Sequence, residues 1–148
     1  MSASETLVVP ATLDGLASAS DAIRTWSELQ EVDGDTLKRL LTVLDELLSN
    51  VVRHGIQDGT GSIEVKVSCK DGMLQAQVTD EAAPFNPLLQ PAPDTTGPLE
   101  QRRPGGLGIA LVKALSDGVH YERAGNRNQL TVCWRLEPPS ADGAPREA

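Results

Sequence analysis

The chain has 148 residues, which is enough for one packed core and too few for two ordinary domains. Hydrophobic residues make up 39% of it and 13 residues are glycine, which is the composition of a globular chain and not of a disordered one. Its 13 basic and 21 acidic residues give a net charge of −8, which disfavours a general role in binding nucleic acid or anionic membranes.

The sequence also lacks the marks of a membrane, secreted or zinc-binding protein. No segment approaches the roughly 18 apolar residues of a membrane span, and the first residues have no basic start followed by an apolar run. We therefore expect a cytoplasmic protein. Cys69 and Cys133 each lie in an alternating apolar run, which favours two buried free thiols over a disulfide. No Cys or His pair has ligand spacing, so a zinc site has little support.

The first part of the chain predicts a strand followed by a helix. Residues 5–9 favour a short strand that ends near Pro10. Apolar residues then recur at helical spacing from Leu16 to Trp26, until Gly34 interrupts the pattern.

Residues 36–54 predict a second helix, which is the clearest pattern in the sequence, with Gly55 at the position of a C-terminal cap. Its leucine stripe fills an arc of about 100°. The side opposite to that stripe carries polar residues, namely Arg39, Thr42, Glu46, Asn50 and Arg53. This polar side is a candidate functional site.

Residues 63–69 and 74–78 alternate between apolar and polar side chains and flank a turn at 70–72, which predicts a β-hairpin. Six prolines then fall between residues 84 and 104 and exclude a regular element there. So long a loop within a compact domain either argues against the assignment or marks a functional lid.

An apolar helix is predicted from residue 105 to about 115, followed by a closing hairpin over 119–136 around Gly125 and Asn126. The order of elements fits an α+β fold, a two-layer α/β sandwich with helices on one face of a mixed, mostly antiparallel sheet. We expect one domain over residues 1–137 and a disordered tail over 138–148.

Two groups of residues have chemistry that suits phosphates and a metal ion. Gly105, Gly106 and Gly108 precede a helix, where backbone N–H groups and the helix dipole can meet an anion, although such glycines are more often part of a plain loop. Glu46 and Asn50 stand four residues apart on one helix face, and their oxygens suit Mg²⁺ bound to phosphates. Taken alone, such residues are more often simply solvated.

Asp80 ends a predicted strand just before the proline-rich loop. A carboxylate there can accept hydrogen bonds from a ligand amine, or it can start a turn. The residues by themselves leave both readings open.

Three segments resemble the motifs of one family. Residues 44–55 (LDELLSNVVRHG) resemble the N-box of the GHKL ATPase and kinase superfamily, residues 78–87 (VTDEAAPFNP) its first glycine box, and residues 105–112 (GGLGIALV) its second. Their order is that of the family, and the resemblance covers about residues 5–136. Within the superfamily, the chain is most similar to the bacterial anti-sigma-factor serine kinases of partner-switching systems. This resemblance implies the histidine-kinase-like ATPase fold.

The resemblance implies a role for each matching residue. Glu46 takes the position of the general base toward a substrate serine, and Asn50 that of the ligand for Mg²⁺ on the ATP phosphates. Asp80 takes the position that binds the adenine amino group. The other residues expected at the nucleotide are Arg53, Ala82, Phe85, Arg103, Gly105, Gly106, Leu107, Gly108 and Asn128.

The proline-rich segment, about residues 87–104, then becomes a lid over the nucleotide. Its Arg102 and Arg103, like Arg53, either reach the γ-phosphate or are solvated charges. One position departs from the family pattern, because Ala82 stands where the first glycine box has glycine two residues after the aspartate. The alanine Cβ would weaken nucleotide binding or change the turn.

The implied function is a protein-serine kinase that uses ATP and Mg²⁺ to phosphorylate an anti-anti-sigma protein of the STAS type, and that competes for a sigma factor or another regulator. A homodimer is expected by resemblance, with no direct nucleic-acid or membrane partner. The alternative is a non-catalytic nucleotide-binding switch module, which Ala82 keeps open. The ATPase half of a sensor histidine kinase is disfavoured, because no second long helix carries a phosphorylatable histidine.

Overall fold

The computed structural model describes residues 2–55, 61–81, 86, 88 and 106–136 of the chain. In chain order their elements are β1 (Ser2–Pro10), α1 (Leu13–Leu29), α2 (Gly34–Asn50), a π-helical turn (Val51–Gly55), β2 (Ser62–Lys70), β3 (Met73–Asp80), α3 (Gly106–Leu115), β4 (Gly118–Ala124) and β5 (Arg127–Arg135). None of the helices in these ranges is both long enough and apolar enough to cross a membrane.

The strands form one sheet in the order β1-β2-β3-β5-β4, and every pair of neighbours among the described strands is antiparallel. Ile63, Val65 and Val67 of β2 are fully buried on the face that packs against the helices, whereas Lys66 between them is exposed. The expected α+β sandwich is therefore confirmed, and the expected mixed sheet proves to be antiparallel wherever it is described.

Both predicted hairpins are confirmed. Asp71 and Gly72 join β2 to β3 with φ values of 52° and 76°, and a type I′ turn requires positive φ at both of these positions. Gly125, with a φ of 61°, begins the turn that joins β4 to β5. Each two-residue turn fixes the register of its hairpin, and in the first hairpin Lys70 lies opposite Met73.

Helix α2 packs against α1, α3 and β3, so it has neighbours on several sides. Its predicted leucine stripe is confirmed, since Leu40, Leu44, Leu47 and Leu48 are all at most 3% exposed. Val43 lies outside the predicted stripe and is nevertheless fully buried, because a helix with this many neighbours buries a wider arc. Each of these side chains stabilises the fold by about 1.5–3 kcal/mol.

The ends of α2 are set by local chemistry. The Asp33 carboxylate caps the start by accepting from the Thr36 N–H at 3.0 Å. At the other end the prediction of an α-helix to residue 54 with a cap at Gly55 is wrong, since α2 ends at Asn50 and continues as the π-helical turn. A periodicity of 3.6 cannot separate α from π geometry over a single turn.

The two cysteines are free, as expected, but both are half-buried instead of buried. Burial raises the pKa of the Cys69 thiol, which keeps it protonated and weakly nucleophilic at neutral pH.

Gly15 lies where α1 passes close to the end of β1, and we expect alanine at this position to destabilise the protein. The Thr12 side chain accepts from the Gly15 N–H at 3.1 Å and holds this first helical turn in place. A Cβ on residue 15 would overlap the carbonyl oxygen of Pro10. Gly15→Ala should therefore lower the free energy of unfolding, measured by urea denaturation, by about 2–3 kcal/mol.

Gly34→Ala is the matched control, because among the described residues no atom beyond its chain neighbours and its own helical turn lies within 4 Å of the position that its Cβ would take. This variant should be neutral or more stable by up to about 1 kcal/mol, since alanine favours a helix over glycine. Equal losses in the two variants would contradict the overlap at Gly15.

Ser27 is fully buried, and its hydroxyl oxygen has no hydrogen-bond partner among the described residues. Burying an unpaired hydroxyl costs about 1–3 kcal/mol. We therefore expect Ser27→Ala to raise the free energy of unfolding by about 1 kcal/mol or more. Ser18→Ala, at an exposed position of the same helix, changes helix propensity alone and should give a smaller gain. If the two gains are equal, burial of the Ser27 hydroxyl carries no cost.

Candidate functional site

The polar face of α2 is only partly exposed where it carries the candidate residues. Asn50 is the last residue of α2 and is 9% exposed, and Glu46, one turn earlier, is half-buried. Since α2 is held against α3 and β3, both side chains lie at the border of the core. A half-buried carboxylate beside a buried amide is an unusual pair on a helix face that would otherwise be solvated.

Asn50 is in contact with a positive charge. The Nη2 group of Arg53 donates to Asn50 Oδ1 at 3.1 Å, and Arg53 Nε donates to the carbonyl oxygen of Ser49 at 3.4 Å. Arg53 itself is exposed and belongs to the π-helical turn that follows α2. The amide oxygen is thus oriented toward a cation, and amide oxygens are among the hard ligands that Mg²⁺ accepts.

Asp80 and Asn128 are brought together by the sheet. They face each other across β3 and β5, and Asn128 Nδ2 donates to Asp80 Oδ1 at 3.0 Å. Asp80 is 8% exposed and Asn128 is 6% exposed, so this bond lies at the edge of the core. A buried carboxylate at the end of a strand can accept hydrogen bonds from the amino group of a ligand.

Two residues that the sequence analysis missed contact Asn128. Tyr121 Oη and Arg123 Nη1 both donate to Asn128 Oδ1, the second at 3.3 Å. The sequence contains a pattern that could have indicated both residues. Val119, Tyr121 and Arg123 alternate along β4 on its core-facing side, where a charged residue is unexpected.

The second glycine box lies at the start of α3, which begins at Gly106. Gly106, Leu107 and Gly108 are therefore in its first turn, where backbone N–H groups have no partner within the helix. The remaining expected residues, together with nearly all of the lid, lie outside the described residues: Ala82, Phe85, Arg102, Arg103 and Gly105.

The structure thus brings the candidate residues together in two contacts, Arg53 with Asn50 and Asp80 with Asn128. The elements that carry the three motifs are neighbours, since α2 packs against both β3 and α3. The chemical groups of this site fit a nucleotide with a divalent cation. They include an amide oxygen for the metal, a helix N-terminus for the phosphates and a buried carboxylate for an amino group.

Among curated proteins, the chain is similar to a kinase. The chain is 27% identical over 128 residues to the serine/threonine-protein kinase BtrW of Bordetella bronchiseptica, a match that covers 83% of this chain and 89% of that kinase.

Solved structures share the fold at low identity. The RsbU and RsbW domains of Rv1364c from Mycobacterium tuberculosis match with a TM-score of 0.67 at 19% identity over 90% of this chain, which spans only 32% of that longer chain. The SiaB-SiaC complex from Pseudomonas aeruginosa matches with a TM-score of 0.54 at 13% identity, covering 89% of each chain. The histidine kinase AdeS of Acinetobacter baumannii matches with a TM-score of 0.50 at 14% identity, covering 90% of this chain and 68% of AdeS.

A family model described as the histidine kinase-like ATPase domain matches residues 9–134, which is most of the chain and includes all three motifs. The resemblance found in the motifs is thereby confirmed, and the chain belongs to the histidine kinase-like ATPase family.

Proposed function

We propose that the protein is an ATP-dependent protein-serine kinase of the anti-sigma type, which acts in the bacterial cytoplasm and phosphorylates an anti-anti-sigma protein of the STAS type. The observation that carries this proposal is the half-buried Glu46 one turn before the buried Asn50 on α2. The similarity to BtrW, a serine/threonine-protein kinase, supports the reaction class. The SiaB-SiaC structure is a complex, which supports a protein partner for this fold.

Glu46 is the general base in this proposal. Its carboxylate accepts the proton of the substrate serine hydroxyl while the serine oxygen bonds to the γ-phosphorus of ATP and the bond to the ADP oxygen breaks. The side chain suits this role because half-burial excludes part of the water while leaving one side open to a protein substrate.

Asn50 and Arg53 would bind the phosphates, Asn50 through Mg²⁺ and Arg53 directly. Asn50 Oδ1 would hold Mg²⁺, which when bound offsets the negative charge that develops on the transferred group. In the structure that oxygen already accepts from the Arg53 guanidinium at 3.1 Å. Because a guanidinium and a metal ion would repel each other at one oxygen, Arg53 would turn away from Asn50 and toward the phosphates if Asn50 held the metal.

Asp80 would accept from the adenine amino group, and the first turn of α3 would receive the phosphates through its backbone N–H groups. The lid arginines Arg102 and Arg103 are proposed as further γ-phosphate contacts, and we propose a homodimer that also binds a sigma factor or another regulator.

A second candidate function is favoured by one residue of the sequence. Ala82 replaces the expected glycine of the first glycine box, and this change would weaken nucleotide binding or change the turn. The second candidate is therefore a switch module that binds its partner without transferring phosphate.

Phosphate transfer to a purified STAS-type protein, followed with ATP labelled at the γ-phosphate, decides between the two functions. We expect label on a serine of the partner, and we expect Glu46→Gln to lower the rate of labelling by about 10²–10⁴-fold with nucleotide binding retained. Asp45→Asn is the matched control, since Asp45 is the adjacent carboxylate and is exposed. It should label at the rate of the wild type.

Stable binding of the partner without any label in the wild type would support the switch module and overturn the kinase. Equal losses in Glu46→Gln and Asp45→Asn would overturn the assignment of Glu46 as the base.

The contact between Arg53 and Asn50 predicts an unusual response to Mg²⁺. In calorimetric titrations, Arg53→Ala should weaken ATP binding at saturating Mg²⁺ by roughly tenfold, because a charged phosphate contact is lost. The same variant should need less Mg²⁺ for half-maximal ATP binding, because the cation that competes for Asn50 Oδ1 is gone.

Arg39→Ala is the control, since Arg39 lies near the start of α2, far along the chain from Asn50, and forms a surface ion pair with Asp35 at 3.2 Å. It should leave both quantities unchanged. An increased Mg²⁺ requirement in Arg53→Ala would show that Arg53 does not compete with the metal.

A further inference from the structure

A row of polar side chains crosses three strands on the helix-covered face of the sheet. In the register of the sheet, Arg123 of β4 lies opposite Asn128 of β5, and Asn128 lies opposite Asp80 of β3. Tyr121 lies two residues before Arg123 on the same face, which is the diagonal position from which a long side chain reaches Asn128. Tyr121 is half-buried, and it has no role in the function proposed above.

The hydrogen bonds of this row have one consistent direction. Asn128 Oδ1 accepts from Tyr121 Oη and from Arg123 Nη1, and a guanidinium can only donate. The opposite end of the amide, Nδ2, donates to Asp80 Oδ1 at 3.0 Å. A flipped amide would place its NH₂ group against the guanidinium and its oxygen against the carboxylate. The donors on β4 therefore fix the orientation of Asn128, and Asn128 fixes the carboxylate of Asp80.

We propose that Tyr121 is a positioning residue for base recognition, which acts through Asn128 to hold the Asp80 carboxylate as an acceptor for the 6-amino group of a purine. This inference rests on the proposed ATP binding. It adds a residue that determines how strongly the protein prefers a purine with a 6-amino group over one without it. The Tyr121 hydroxyl orients the side-chain amide of Asn128, and this amide donates to Asp80 Oδ1. The Asp80 carboxylate is thereby held in one rotamer.

The consequence is selectivity at one atom of the ligand. A purine that carries a 6-amino group donates a hydrogen bond to the oriented carboxylate, whereas a purine without that group makes no such bond. A loss of orientation at Asp80 should therefore weaken the binding of the first purine and leave that of the second nearly unchanged.

The test uses calorimetry to compare the binding of two nucleotides to the 148-residue chain with Mg²⁺ present. The probes are ATP and purine riboside 5′-triphosphate, which lacks only the 6-amino group. Tyr121→Phe keeps the ring and removes the donor, and we expect it to raise the Kd for ATP by roughly 3–10-fold, the value of one hydrogen bond. The Kd for purine riboside triphosphate should change by less than about twofold.

Glu122→Gln is the control on the same strand, since Glu122 is exposed and points to the opposite face. It should change neither Kd. Arg123→Met is the second variant, and it removes the other donor to Asn128 while leaving Tyr121 in place. Its loss of charge affects both triphosphates equally, so the Kd for ATP divided by the Kd for purine riboside triphosphate reports on orientation alone. We expect this ratio to rise as it does in Tyr121→Phe.

Equal changes for the two nucleotides in Tyr121→Phe would mean a merely structural role and would overturn the inference while the proposed function stands. No change for either nucleotide would overturn it in the same way. A wild-type protein that binds neither nucleotide would overturn the proposed function, and the inference with it.

Discussion

Helix α2 has to bury its apolar arc against α1, α3 and the sheet at once, and this constraint decides where its polar side chains lie. Side chains along an α-helix recur every 3.6 residues, so the full burial of Leu44 and Leu48 fixes the rotation of the whole helix. The same rotation brings Asn50 to the border of the core and leaves Glu46 half-buried. The core packing and the geometry of the proposed phosphate site are therefore set together, and neither can change alone.

Strand pairing in the sheet likewise determines the geometry of the proposed adenine-binding site at Asp80 and Asn128. Because β5 lies between β3 and β4, a single residue of β5 can contact both neighbours. Asn128 occupies that place, accepting from β4 and donating to β3. An amide is suited to it because it has an acceptor at one end and donors at the other. In a buried setting such linked bonds strengthen one another, and an unmatched member would be costly.

The acidic character of the chain is compatible with an anionic ligand. The net charge of −8 is a property of the whole surface, whereas residues 97–113 carry three basic residues and one acidic residue. A metal ion on Asn50 and the backbone N–H groups at the start of α3 would meet phosphates without any excess of basic side chains. The net charge therefore disfavours broad binding to polyanions and is compatible with a local phosphate site.

Local patterns determined much of this protein. The 3.6-residue period of α2, the glycine-containing turns and the three motifs predicted the elements, the hairpins and the family, because each depends on residues close together in the chain. Pairing between distant segments decided the rest. The burial of Val43 follows from the neighbours of α2, and the path from Tyr121 through Asn128 to Asp80 exists only because β5 pairs with both β4 and β3. Sequence spacing gives the direction of a side chain on its own element, and only tertiary packing supplies the atom that it meets.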